Sequence, residues 1–331
     1  MKLHGARAAA AGLCLSFGLA SCATGISDSK SAQLYYDLGN AYSQLGDQTR
    51  ATAAYLNALK LDRTLKAASY NLARVYIEAG KFQDALSILN SVLAADPTNI
   101  IALDTVGYAY YKSGDKQKAL TAYEKVLKLS PLDSNALYNR GIILADLGEN
   151  QEALNSLNKL YDENRDATIL LPIGRIEAAL GDNKAAATSI EAYLAAKPDD
   201  FDAASLLASI YRKEELYDKA IKAYDAALKL KPGTASLLFA KAEILLTAIQ
   251  DAQAGMLALQ AAIDAGFSDR SALARLVANP ELVNKQEVER YLNEKELLSP
   301  QKTGATTSAP SQSKTQGGTS PEGSGVQPAV P

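Results

Sequence analysis

A self-similarity with a 34-residue period runs through most of this chain and constrains its fold more than any other feature. The segment VGYAYYKSGDKQKALTAYEKVLKLSP, residues 106–131, meets copies of itself at 34-residue steps. Copies begin at Ala32, Lys66, Ile100 and Ser134, then at Ala167, one residue early, at Phe201 and, in degenerate form, at Ala235. A period of this length marks a stacked array. One unit cannot bury its apolar face alone, so each neighbour buries it in turn.

Within each copy the pattern predicts a pair of closely packed antiparallel helices, A and B. At the eighth position stand Gly39, Ala73, Gly107, Gly141, Gly174, Ala208 and Ala242; at the twentieth stand Ala51, Ala85, Ala119, Ala153, Ala186, Ala220 and Ala254. All are small, as the place where helix A meets helix B requires. Larger residues fill the adjoining positions: Tyr42, Tyr76, Tyr110 and Tyr211 at the eleventh, Tyr55, Tyr123 and Tyr224 at the twenty-fourth. Gly46, Gly80, Gly114, Gly148 and Gly181 are placed to end helix A in a left-handed turn. Asp47, Asp115 and Asp182 follow as N-caps for helix B, and Pro97, Pro131, Pro198 and Pro232 stop it. Pro172 falls inside the helix A that follows Ala167 and predicts an irregular start there.

These residues resemble the tetratricopeptide repeat, whose signature spaces a large residue, Leu-Gly, Tyr, Ala, an aromatic residue and Pro in this order. The resemblance covers residues 32–265. It implies an all-α fold: a right-handed superhelical solenoid of about seven helix-turn-helix repeats. Residues 266–298 read as two further helices broken at Asn279-Pro280, with Val288, Tyr291 and Leu292 on one apolar face. They are expected to cap the last repeat, because a solenoid needs a polar-faced end. Residues 299–331 are rich in Ser, Thr, Gly, Pro, Gln and Ala and hold no aromatic residue, a composition unable to bury a core.

The N-terminus reads as an export signal over residues 1–21. Lys2 and Arg7 precede the apolar run Ala8 to Ala20, AAAAGLCLSFGLA, which is too short to span a bilayer and the right length for a signal peptide. Its end, LASC, resembles the lipobox of bacterial lipoproteins. That resemblance implies cleavage before Cys22 and acylation of Cys22, followed by a short linker over residues 22–31. More than one acyl chain gives stable anchoring. Processing would remove Cys14 and the single histidine, His4, and move the formal charge from −3 to −5.

The chemistry this leaves is narrow. A processed chain without histidine or free thiol has no Ser-His-Asp or Cys-His route and none of the usual zinc ligand sets. No cofactor, metal or catalytic residue is expected, and no basic cluster suits nucleic acid. The acidic run KPDDFD, Lys197 to Asp202, lies at a repeat junction, where acids suit a helix N-terminus.

The resemblance implies instead a concave groove lined by helix A, at Tyr36, Asn40, Tyr70, Arg74, Tyr108, Tyr111, Tyr138, Arg175, Arg212 and Phe239, with Asn71 and Asn139 alongside. Tyr and Arg anchor interfaces well, and Asn matches both groups of a peptide backbone. Asn40 and Asn71 also match two positions of the family's carboxylate clamp, but Tyr36, Ile101 and Thr105 stand where that clamp has cations, so it is not expected. The expected function is a lipid-anchored scaffold of the bacterial cell envelope, at the outer membrane facing the periplasm, whose groove holds partner proteins or peptides. The alternative is a transport accessory lipoprotein that binds a small ligand and docks to a periplasmic binding protein.

Overall fold

The computed structural model describes residues 28–298; the expected export signal, Cys22 and the residues beyond 298 lie outside them. The described residues form sixteen α-helices and one short 3-10 helix, with no strand among them. No described helix is long and apolar enough to cross a membrane. The chain divides into two compact units at Leu160–Tyr161.

The first unit is a stack of antiparallel helix pairs. Its helices are α1 (28–44), α2 (Gln48–Leu61), α3 (Lys66–Glu78), α4 (Phe82–Ala95), α5 (Ile100–Lys112), α6 (Lys116–Leu129), α7 (Ser134–Asp146) and the greater part of α8 (Asn150–Asn164). From α2 to α7 each helix packs on the next, while α3 also touches α5 and α5 touches α7. That adjacency of alternate helices is what makes a solenoid of consecutive pairs.

The glycines at the eighth position have a direct cause. A Cβ on Gly39 would lie 2.5 Å from the Tyr55 ring, and one on Gly107 would lie 2.8 Å from the Tyr123 ring. At Gly141 the obstacle is Leu157, at 2.7 Å. The residue at position twenty-four of helix B therefore lies flat against position eight of helix A. Tyr55 and Tyr123 are buried by this contact, each contributing roughly 2–3 kcal/mol through apolar area. Ala51, Ala85, Ala119 and Ala153 are fully buried beside them.

Turn chemistry sets the helix ends. All five glycines expected to end helix A have positive φ, from 71° to 87°. Asp47 and Asp115 accept from the backbone N–H of Arg50 and Lys118. Helix A is capped too: Asn99 accepts from Ala102 N–H and Asp133 from Ala136 N–H.

The second unit repeats this logic with local departures. It holds the 3-10 helix Ala167–Ile169, then α9 (Leu170–Ala179), α10 (Asn183–Ala196), α11 (Phe201–Lys213), α12 (Tyr217–Leu230), α13 (Ala235–Thr247), α14 (Ala252–Asp264), α15 (Arg270–Ala278) and α16 (Lys285–Glu294). The helix carrying Pro172 does begin irregularly: a 3-10 turn precedes it, and Pro172 sits in the first turn of α9, where no N–H is missed. Asp182 and Asp200 cap α10 and α11, so the KPDDFD run does its work at a helix end.

Where the turn glycine is absent, Glu215 takes a φ of 58°. In the degenerate last copy the turn is one residue longer. Gln250 takes the left-handed turn, with a φ of 62°. Asp251 becomes the cap, and Gly255, not Ala254, presses against Leu246. The expected small residue is thus displaced by one position. Beyond it, Leu273 and Leu276 of α15 and Val288 and Leu292 of α16 are buried in one cluster with Phe239, Leu246 and Leu259.

Candidate functional site

Three of the expected groove residues of the first unit, Tyr36, Asn40 and Asn71, gather around one network. Asn40, in α1, accepts at Oδ1 from the Tyr55 hydroxyl at 2.8 Å and from Asn71 Nδ2 at 2.7 Å. Asn71 Nδ2 also reaches the Tyr36 hydroxyl at 3.4 Å. Gly39 makes this possible, because it lets the Tyr55 ring pass close enough to α1 for its hydroxyl to reach the next side chain along. The Tyr36 and Tyr55 rings lie 6.1 Å apart. With one carbonyl oxygen holding two donors, Asn40 keeps its NH2 group and Asn71 its carbonyl oxygen for a visitor.

Asn40, Tyr55 and Asn71 line an open cleft of about 490 Å³ together with Ser43, Gln44, Gln48, Arg74 and Glu78. Burial, chiefly, pushes the Tyr55 hydroxyl above its usual range, so it stays a neutral donor. The Arg74 guanidinium lies near enough to act on the hydroxyls of both Tyr55 and Tyr108. Tyr108, from α5, donates to Glu78 Oε1 at 2.8 Å. Burial and that carboxylate raise its hydroxyl far beyond titration at neutral pH.

The other expected residues take different places. Tyr111 donates to Asp146 Oδ2 at 3.1 Å, and burial with that carboxylate pushes its hydroxyl up to about 12. Tyr138 lies close enough to act on it. Tyr70 packs on the core of α3 to α6 and donates to Asn99, the cap of α5. Tyr108 and Asn139 are buried, so they shape the wall rather than offer a surface.

In the second unit, Arg175 acts on Tyr193 and Asp200, which are joined by a 2.8 Å hydrogen bond. Arg212 is exposed and ion-paired with Glu243. Phe239 is not a groove residue: it is buried and stacked on Phe267, with ring centroids 4.1 Å apart. Phe267, in the loop between α14 and α15, closes over it.

Sequence reasoning passed over Tyr55 as a ligand-side group, together with Glu78 and Asp104. The signal was present for Tyr55: an aromatic ring facing glycine must send its hydroxyl past helix A. Asp104 occupies the place in its repeat that Tyr36 and Tyr138 hold in theirs. It is 3% exposed, and its Oδ1 has no hydrogen-bond partner. Burial first, and the nearby Asp133 second, push its carboxyl up to about 7. Among the described residues no cluster of His, Cys, Asp and Glu could hold a metal ion.

Two tetratricopeptide-repeat family models match, one at residues 42–105 and the other at 107–168, 171–235 and 206–270. The chain belongs to the tetratricopeptide repeat family. No curated protein matches it significantly.

Solved structures of this family share the fold. A tetratricopeptide repeat protein from Parabacteroides merdae is 21% identical, with a TM-score of 0.52, over 76% of this chain and 100% of its own. Pseudomonas aeruginosa pilF is 20% identical, with a TM-score of 0.56, over 66% of this chain and 99% of its own. YrrB, described as a tetratricopeptide repeat protein with an unusual peptide-binding site, is 22% identical, with a TM-score of 0.50, over 57% of this chain and 98% of its own. Tetratricopeptide repeats mediate protein–protein interactions and are generally non-enzymatic scaffolds.

Proposed function

We propose that this chain is a lipid-anchored scaffold of the bacterial cell envelope that holds an extended segment of a partner protein in the groove of its first unit. The observation that carries this reading is the Asn40–Asn71 pair. Held by Tyr55 and Tyr36, the two amides present one N–H donor and one C=O acceptor to an open cleft. A peptide unit offers the complementary acceptor and donor, so main chain of any sequence can bind. Arg74 and Glu78 add one charge of each sign at the same wall, which favours a partner segment carrying both signs.

The anchor is the second part of the proposal. The LASC sequence supports acylation at Cys22 after export, and Ala23 behind it is not the aspartate of inner-membrane retention. We place the chain at the outer membrane, facing the periplasm. Cys22→Ser then moves the protein from the membrane to the soluble fraction.

The groove is tested with Asn40→Ala/Asn71→Ala and with Arg74→Ala, using peptides selected from a displayed library on the intact protein. The paired amide variant loses at least tenfold in affinity for every selected peptide, two lost hydrogen bonds at about 1 kcal/mol each. Arg74→Ala affects only peptides with an acidic residue. Unchanged affinity in the amide variant, with helicity retained, rejects the groove.

A further inference from the structure

Positions three, seven and ten of helix A are where a solenoid stacks. In α3 these are Ala68, Leu72 and Val75, and in α5 Ala102, Val106 and Ala109; all six are buried. The same holds in α11 for Ala203, Leu207 and Ile210. Each set is covered by the repeat before it. In α1 the same positions are Leu34, Leu38 and Ala41, and nothing described covers them. Leu34 is 69% exposed and Leu38 42%. Leu45, one turn on and still bonded through its N–H to Ala41 C=O, is 79% exposed. A stacking surface is therefore open at the start of the first unit.

We propose that this surface is the interface of a homodimer, with α1 of one copy packed on α1 of another. The spacing selects a helix as the occupant. Leu34, Leu38, Ala41 and Leu45 recur at intervals of four, three and four residues, the seam of a two-helix coiled coil. Lys30 and Asp37 edge it on one side and Tyr35, itself 38% exposed, on the other; a lipid surface, which needs a broad apolar face, is the competing occupant that the crosslinking test separates.

A second copy is the occupant because the surface closes on itself. Two open first repeats meeting about a two-fold axis bury both strips in one closed contact. The last helices of the second unit offer no counterpart for head-to-tail growth. Val288 and Leu292 of α16 point inward and are buried, while its outer face carries the pairs Lys285–Glu289 and Arg290–Glu294. The chain's own leader is a poor cover. If Cys22 is the first residue of the processed protein, only Ala23 to Ser27 lie between it and α1, with Ile26 the one large apolar side chain. This clause alone rests on the lipoprotein reading.

The test is disulfide crosslinking of the full chain in its native membranes. Leu38→Cys places a thiol beside the axis, and Glu124→Cys on α6 is the control. Leu38→Cys gives a non-reducing band at twice the monomer mass and Glu124→Cys does not. Adding Leu34→Glu, on an exposed site that leaves helicity unchanged, abolishes the band. Absence of the Leu38→Cys band, an equal band from Glu124→Cys, or persistence of the band with Leu34→Glu overturns the proposal. So does a Leu34→Glu variant of the otherwise unchanged chain whose only change is weaker membrane retention, since that assigns the strip to lipid. Failure of the lipoprotein reading shows separately, as Cys22→Ser that still fractionates with membrane.

Discussion

Replacing Asp104 by asparagine should stabilise the protein at alkaline pH and do little at acid pH. Asp104 is buried in α5 with Oδ1 unpartnered, and the carboxylate of Asp133, the cap of α7, is the like charge that acts on it. The Asn135 side chain favours the ionised form only in part, and the net effect holds the carboxyl at about 7 against 3.8 in a free side chain. A carboxyl raised on folding binds its proton more tightly in the native state. Its contribution to stability is therefore full below about pH 4. It declines as pH rises from about 4 to about 7, and is lost above that. The shift corresponds to ~4 kcal/mol at most, and relaxation around the carboxylate brings the expected loss to about 2–3 kcal/mol. Asparagine keeps the shape and stays neutral throughout. Urea unfolding at pH 4, 6 and 8 then shows a variant more stable than the parent by about 2 kcal/mol at pH 8. The gap shrinks below about 0.5 kcal/mol at pH 4. A gap that does not change with pH, or a variant weaker at pH 8, refutes the argument that this carboxyl is buried without adequate partners.

Other perturbations probe the remaining links. Gly39→Ala sets a methyl 2.5 Å from the Tyr55 ring; it should cost about 1–3 kcal/mol by thermal unfolding and weaken peptide capture, because Tyr55 can no longer hold Asn40. Glu215→Gly relieves a left-handed glutamate and should raise stability by roughly 0.5–1 kcal/mol, the left-handed penalty less the entropy glycine adds to the unfolded chain. Asp133→Ala removes the cap of α7 at a cost of about 1 kcal/mol; it also removes a like charge from Asp104, so the loss should be smaller at pH 8 than at pH 4.

Much of the fold could be read from spacing because the repeat averages out local accidents. Gly39, Gly107 and Gly141 each face a large residue sixteen positions on, so small and large residues co-occur at a fixed interval in one copy after another. Turn residues were equally plain, since only glycine takes positive φ cheaply. The last copy broke the reading where it lost that glycine: one added residue moved the close contact from Ala254 to Gly255.

The site was less legible. Register tells which face a residue is on, but not where the tip of its side chain goes. Tyr70 and Asn40 both occupy positions expected in the groove, yet Tyr70 ends on a helix cap while Asn40 organises the cleft. Phe239 needed a partner from outside the repeats, Phe267, before its burial could be foreseen. Asp104 was missed because a lone acid among tyrosines carries no motif; only its burial sets it apart.

The central claim is that partners are held on the helix A wall of the first unit. A photo-crosslinking side chain placed at Gln44, in the cleft, and at Glu124, on the exposed side of α6, tests it most directly in living cells. The account predicts a discrete protein adduct from Gln44 that disappears with Asn40→Ala/Asn71→Ala, and no such adduct from Glu124. Equal adducts from both positions, or an adduct at Gln44 indifferent to the loss of both amides, would contradict it.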